Sequence, residues 1–107
     1  MKLLTKDIER KLKRNYEIND DGKGGETDHV PVVKFFYRSA TWLITEMNDD
    51  GLMYGLCDLG WGQPEIGYVH FSELEGIAGM ERDAWFVGNK TLTEYAKQAR
   101  EEGYIFA

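Results

Sequence analysis

The chain reads as an α+β fold: a small single domain, a bent antiparallel sheet of four to five strands with an N-terminal helix, a short middle helix and a C-terminal helix. Three observations predict this. Strand-like runs follow one another between residues 32 and 71 with hairpin-length links, too short for the crossovers that parallel strands need. A four-residue apolar period marks a helix near the start of the chain. Ser72-Glu73-Leu74-Glu75 and Thr91-Leu92-Thr93-Glu94 both match the capping box that opens a helix.

Residues 5–16 form the first predicted helix. Thr5 is its N-cap, Asp7 and Glu9 lie in its first turns, and Leu4, Ile8, Leu12 and Tyr16 fall along one face. Lys11, Lys13 and Arg14 end it and complement the partial negative charge of a helix C-terminus. Residues 19–29, NDDGKGGETDH, carry three glycines and four acids and read as an exposed loop, with His29 solvated.

After Pro31, the run VVKFFY (32–37) is rich in β-branched and aromatic residues and predicts a strand covered in part on both faces. Residues 41–47 and 52–59 flank Asn48-Asp49-Asp50-Gly51, where Asp-Gly supplies the backbone geometry of a hairpin. Alternation puts Trp42, Ile44 and Glu46 on one face and Leu43, Thr45 and Met47 on the other. Gly55 leaves a gap for a facing aromatic. Gly60, Gly62 and Pro64 break the run, and EIGYVHF (65–71) is a further strand.

Ser72 then caps a helix that Gly76 and Gly79 hold to two turns or fewer. DAWFV (83–87) predicts a short strand, and the second capping box opens a helix to about Glu102, which Gly103 ends. The closing YIFA is apolar and either docks on the body or meets a partner.

The chain has 107 residues, 42% hydrophobic, with three Trp, six Tyr and five Phe, enough apolar bulk for one core. Its net charge of -6 offers no basic stripe for a phosphate backbone, so direct nucleic-acid binding is disfavoured. No apolar run reaches the roughly 18 residues of a membrane span, and no signal peptide is visible. Together with a single cysteine, this predicts a cytoplasmic location and no membrane partner. Cys57 sits among apolar residues and reads as a small buried hydrophobe.

MKLLTKD, TWLITEM, GLCDLGWGQPEIGYVHFSELEGI, ERDAWF and TLTEYAKQA, in this order, resemble the family catalogued as domain of unknown function 2958. The central run is the most specific part of the likeness. The chain departs from the common pattern at residues 17–29 and at the short connector 76–80, both loops. The resemblance implies no reaction. It implies an accessory protein of bacteria, plasmids, phages and integrative elements, expressed in the cytoplasm.

Chemistry-bearing signatures are sparse. There is no P-loop, no G-x-G-x-x-G, no G-x-S-x-G and no H-E-x-x-H, so no catalytic residues, no metal site and no cofactor are expected. Glu46, Asp58 and Glu65 lie near predicted strand ends and suggest a metal-dependent hydrolase or nuclease, with His70 as a helper. The plainer readings are turn hydrogen bonds for Asp58 and Glu65, a solvated Glu46, and a hydrogen-bonded structural His70. With Trp42, Trp61 and Tyr68, the three carboxylates instead compose a binding surface with aromatic anchors. Trp61, between two glycines, either tucks over the sheet or is offered to a ligand.

The resulting expectation is a small acidic accessory protein of a mobile element, acting by protein–protein interaction on a host or element-encoded protein. An anti-defence role, occupying the basic groove of a nuclease, is its sharper version. The alternatives are the metal-dependent hydrolase and a nucleic-acid binder that stacks bases on its aromatics.

Overall fold

The computed structural model describes residues 2–20 and 27–107. Most of the predicted loop 19–29 therefore lies outside the described residues. The elements run α1 (Lys6–Asn19), β1 (Val33–Tyr37), β2 (Ala40–Met47), β3 (Leu52–Asp58), β4 (Glu65–His70), α2 (Phe71–Glu75), β5 (Glu81–Arg82) and α3 (Leu92–Glu102). The strands form one antiparallel sheet in the order β4-β3-β2-β1-β5, so the architecture is the predicted α+β type.

Each face of the sheet has its own apolar cluster. On one face Leu12 of α1 and Leu74 of α2 pack against Val33, Phe35, Trp42, Ile44, Met47 and Met53. On the other, Leu92, Tyr95, Ala96 and Ala99 of α3 pack with Ile105 against Leu43 and Leu56. Phe35, Leu12, Leu43, Ile44 and Leu56 are wholly buried, each worth roughly 2 kcal/mol relative to exposure.

Local signals hold where they are strongest. The Thr5 hydroxyl accepts the Ile8 amide at 3.1 Å and starts α1. Thr91 and Glu94 form the full reciprocal capping box of α3, and Gly103, at φ 83°, ends it in the left-handed conformation. Asn48 Oδ1 accepts the amides of Asp50 and Leu52 and closes the β2–β3 hairpin, with Gly51 at φ 92°.

Several expectations are corrected. α1 continues to Asn19, so Lys11, Lys13 and Arg14 sit inside the helix and its last turn has no base. Lys13 pairs instead with Glu9 at 3.0 Å. The middle helix begins at Phe71, with His70 rather than Ser72 as its cap and Glu73 rather than Glu75 reaching back. Residues 83–87 are not a strand: Asp83 Oδ1 accepts the Trp85 amide at 2.9 Å and turns the chain, leaving only Glu81–Arg82 paired to β1.

The largest departure is a bulge in β2. Ile44 pairs with Gly55 and Glu46 with Tyr54, so Thr45 is the extra residue. Beyond it the faces exchange: Met47 joins Trp42 and Ile44 in the α1-side core, and Glu46 turns to the α3 side. Asn15 Nδ2 donates to the Thr45 carbonyl at 3.0 Å and satisfies the group the bulge frees. Gly55 is not a gap for an aromatic. A Cβ there would stand 2.0 Å from the Leu43 carbonyl oxygen, so the neighbouring backbone occupies that space.

Candidate interaction surface

Asp58 ends β3 with its side chain on the α3 side, 2% exposed. Its carboxylate accepts two amides, Gly60 at 2.8 Å through Oδ1 and Ile105 at 3.0 Å through Oδ2. One buried charge thus fixes both the loop that carries Trp61 and the chain that follows α3. Charge-assisted bonds of this kind are about twice as strong as neutral ones.

From Asp58 the C-terminal segment crosses the sheet face. Gly103 begins beside Gly62, Ile105 inserts into the α3-side core, and the Ala107 carbonyl accepts from Lys34 Nζ at 2.7 Å. The same ammonium stands 3.7 Å from Asp83 Oδ2, and Asp83 holds the turn bearing Trp85. The exposed rings of Trp61, of Tyr104 and Phe106, and of Trp85 therefore sit on three segments that the Asp58 and Lys34 side chains join into one path. Trp85 is 91% exposed and Trp61 81%. Tyr104 and Phe106 stack edge to face at 6.4 Å. Of the two readings of the tail, docking on the body is the one observed for Ile105. Of the two readings of Trp61, tucking over the sheet is not found; the ring is exposed.

A second feature is a cleft of about 690 Å³ on the same face, where the end of α1 meets β2, β3, β4 and the start of α3. Tyr16, Tyr54, Tyr68, Glu46, Asp28 and His29 line it. Tyr54 and Tyr68 pack with ring centroids 5.0 Å apart. The nearby Asp20 carboxylate raises the Tyr16 phenol above its ordinary pKa. Burial works against the charge on Asp28, but hydrogen bonds from Thr93 and Thr91 outweigh it and lower the Asp28 pKa. His29 is not solvated as expected. It is half-buried, with Nε2 3.1 Å from the Asn15 carbonyl.

The six residues singled out from sequence are thus divided. Glu46 and Tyr68 meet in the cleft, and Glu46 is bonded to Asn19 at 2.9 Å. Trp61 belongs to the aromatic path, Asp58 is buried beneath it, and exposed Glu65 adjoins it beside Gly62 and Arg100. Trp42, 4% exposed, belongs to the α1-side core and reaches neither surface.

The proposed metal triad does not assemble. Asp58 stands opposite Thr41, and Glu46 lies five positions along β2 from Thr41, roughly 16 Å at strand spacing. Among the described residues, no three His, Cys, Asp or Glu side chains gather closely enough to hold an ion. His70 is committed as a cap: Nδ1 accepts the Ser72 amide at 3.1 Å, leaving Nε2 to donate to the Asp50 carbonyl at 2.7 Å. Cys57 packs against the α1-side core but is half-buried rather than buried as expected, and that burial pushes its thiol up to about 11. Among the described residues, no helix is long and apolar enough to cross a membrane.

Sequence reasoning missed Tyr104, Phe106 and Trp85 as surface residues. The apolar tail was the available signal, but only the pairing of Asp58 with Ile105 shows which of its side chains turn outward.

Fold and surface together define a small α+β domain with an exposed aromatic path. The chain belongs to the family described as protein of unknown function (DUF2958), which matches residues 3–106. No curated protein and no solved structure matches the chain.

Proposed function

We propose that this chain acts by protein–protein interaction, as an accessory protein of a bacterial mobile element, through the path formed by Trp61, Tyr104, Phe106 and Trp85. The observation that carries the reading is the exposure of four aromatic rings on segments that Asp58 and Lys34 tie together. Isolated exposed apolar side chains are ordinary, whereas four exposed aromatic rings on segments tied together by Asp58 and Lys34 suit hot-spot binding. The partner offers a complementary apolar surface, and the net charge of -6 favours one that is basic around it. In the anti-defence version that partner is a nuclease whose basic groove the chain fills, and binding weakens as salt rises.

The test is affinity capture from bacterial lysate with nuclease treatment, followed by titration of the purified partner. Trp85→Ala and Trp61→Ala are each expected to weaken binding by tenfold or more, while Tyr16→Phe in the cleft leaves it unchanged. A partner indifferent to both tryptophans, or one lost on nuclease treatment, would overturn the reading.

A further inference from the structure

Among the described residues the outer edge of β4 is open. There β4 pairs only with β3, and it contains no proline, lysine or bulge, the usual devices that protect a sheet edge. The direction of its backbone groups follows from one bond. The Phe71 amide donates to the Gly51 carbonyl at 2.8 Å, so the alternation of an antiparallel ladder turns residues 65, 67, 69 and 71 toward β3. Residues 66, 68 and 70 face outward. His70 is already used, its amide donating to Glu73 Oε1 at 3.1 Å. Ile66 and Tyr68 each keep one N–H and one C=O pointing away from the sheet, and none of these four groups takes a hydrogen bond among the described residues.

We infer that this edge pairs with the same edge of a second copy of the chain, across a two-fold axis through Gly67 and normal to the sheet. In that register Ile66 faces the partner's Tyr68 and Tyr68 faces the partner's Ile66. Each pair exchanges both of its free N–H···O bonds, so the outward groups of Ile66 and Tyr68 are satisfied together. The paired side chains lie on the same face and form aromatic–β-branched contacts. Gly67 then faces the partner's Gly67 in the closely approaching type of pair, with Cα atoms about 4.5 Å apart. A Cβ added at Gly67 would meet nothing within 4 Å in the single chain, so the glycine is not required by the chain's own packing. It stands where the copies would come closest.

The opposite edge argues for a closed pair rather than a fibre. β5 is only two residues long and cannot offer a matching ladder to β4, so head-to-tail growth has no seam, whereas β4 on β4 closes at two copies. The seam is short, which places it among concentration-dependent contacts rather than obligate ones.

Sedimentation analysis over a range of concentrations tests this. The wild-type mass is expected to rise from 12.3 kDa toward twice that value. Gly67→Lys sets two ammonium groups against each other at the axis; it should weaken self-association at least tenfold, with circular dichroism unchanged and the Tm of the dilute monomer not lowered. In a Cys57→Ser background, Gly67→Cys is expected to form a disulfide-linked dimer on oxidation, since that pair falls within the reach of a disulfide. The double variant Trp61→Ala/Trp85→Ala should dimerise normally, which separates this seam from the aromatic path. A wild-type protein that remains at 12.3 kDa at every concentration overturns the inference. So does a dimer that survives Gly67→Lys, fails to cross-link through Gly67→Cys, or disappears with the tryptophans.

Discussion

The Asp58 carboxylate accepts the Ile105 amide at 3.0 Å across 47 positions of chain, and its second oxygen holds Gly60. Asp58→Ala leaves both amides without this partner and is expected to cost about 3 kcal/mol. Asp58→Asn keeps one acceptor oxygen and should cost about half as much. Urea denaturation of the two variants checks the order. Equal losses would mean that only one of the two bonds matters.

Gly55 and Gly67 face each other across β3 and β4, yet they predict opposite outcomes. Gly55→Ala places a Cβ 2.0 Å from the Leu43 carbonyl oxygen and 2.9 Å from Ile44 Cα, both backbone atoms that cannot step aside. It should cost about 3 kcal/mol or prevent folding. Gly67→Ala meets open space and should raise stability by about 0.5 kcal/mol, by restricting the unfolded chain. Thermal unfolding of both variants decides between this reading and a generic intolerance of strand substitutions.

Cys57, with its thiol pushed to about 11 by burial, should be a slow nucleophile. Against an ordinary thiol near 9, its thiolate fraction at pH 8 is lower by about 100-fold. Alkylation by iodoacetamide should therefore be at least that much slower in the folded protein, and should reach the ordinary rate in denaturant. Fast labelling of the native protein would contradict the burial.

Asp28 and Glu94 are expected to contribute to acid unfolding. Burial opposes the charge on Asp28, but the Thr93 and Thr91 side chains lower its pKa below 3.8; the Thr91 amide and hydroxyl lower Glu94 below 4.5. Because both folded values lie below the unfolded ones, the stabilisation is complete above the unfolded pKa. It fades as pH falls through the folded values. Unfolding free energy measured from pH 6 to pH 2.5 should decline below about pH 4.5, and Asp28→Asn with Glu94→Gln should flatten that decline. An unchanged slope would mean that other carboxylates govern acid unfolding.

The fold was most legible where chemistry is local. Thr91 and Glu94 fall three positions apart and satisfy each other's backbone neighbours wherever the rest of the chain lies, and Asn48 to Gly51 make a turn on their own terms. Overlapping signals were harder to read. Ser72-Glu75 and His70-Glu73 are both chemically sound caps, and what favours the second is the Asp50 carbonyl that receives His70 Nε2, a neighbour invisible in a local window. The bulge at Thr45 depends on Asn15, thirty positions away, so strict alternation assigned Glu46 and Met47 to the wrong faces. The cleft draws on both ends of the chain, and only Glu46 and Tyr68 among its lining residues were selected in advance.

The anchoring of the tail has a kinetic consequence. The β2–β3 and β3–β4 hairpins join near neighbours in the chain, whereas Lys34 and Ala107 meet across 73 positions, a closure whose entropic cost is met only once the sheet and α3 exist to receive it. The contacts that line up Trp61, Tyr104, Phe106 and Trp85 therefore belong to the final stage of folding. A chain emerging from the ribosome displays these rings one at a time, and only the finished molecule displays them together.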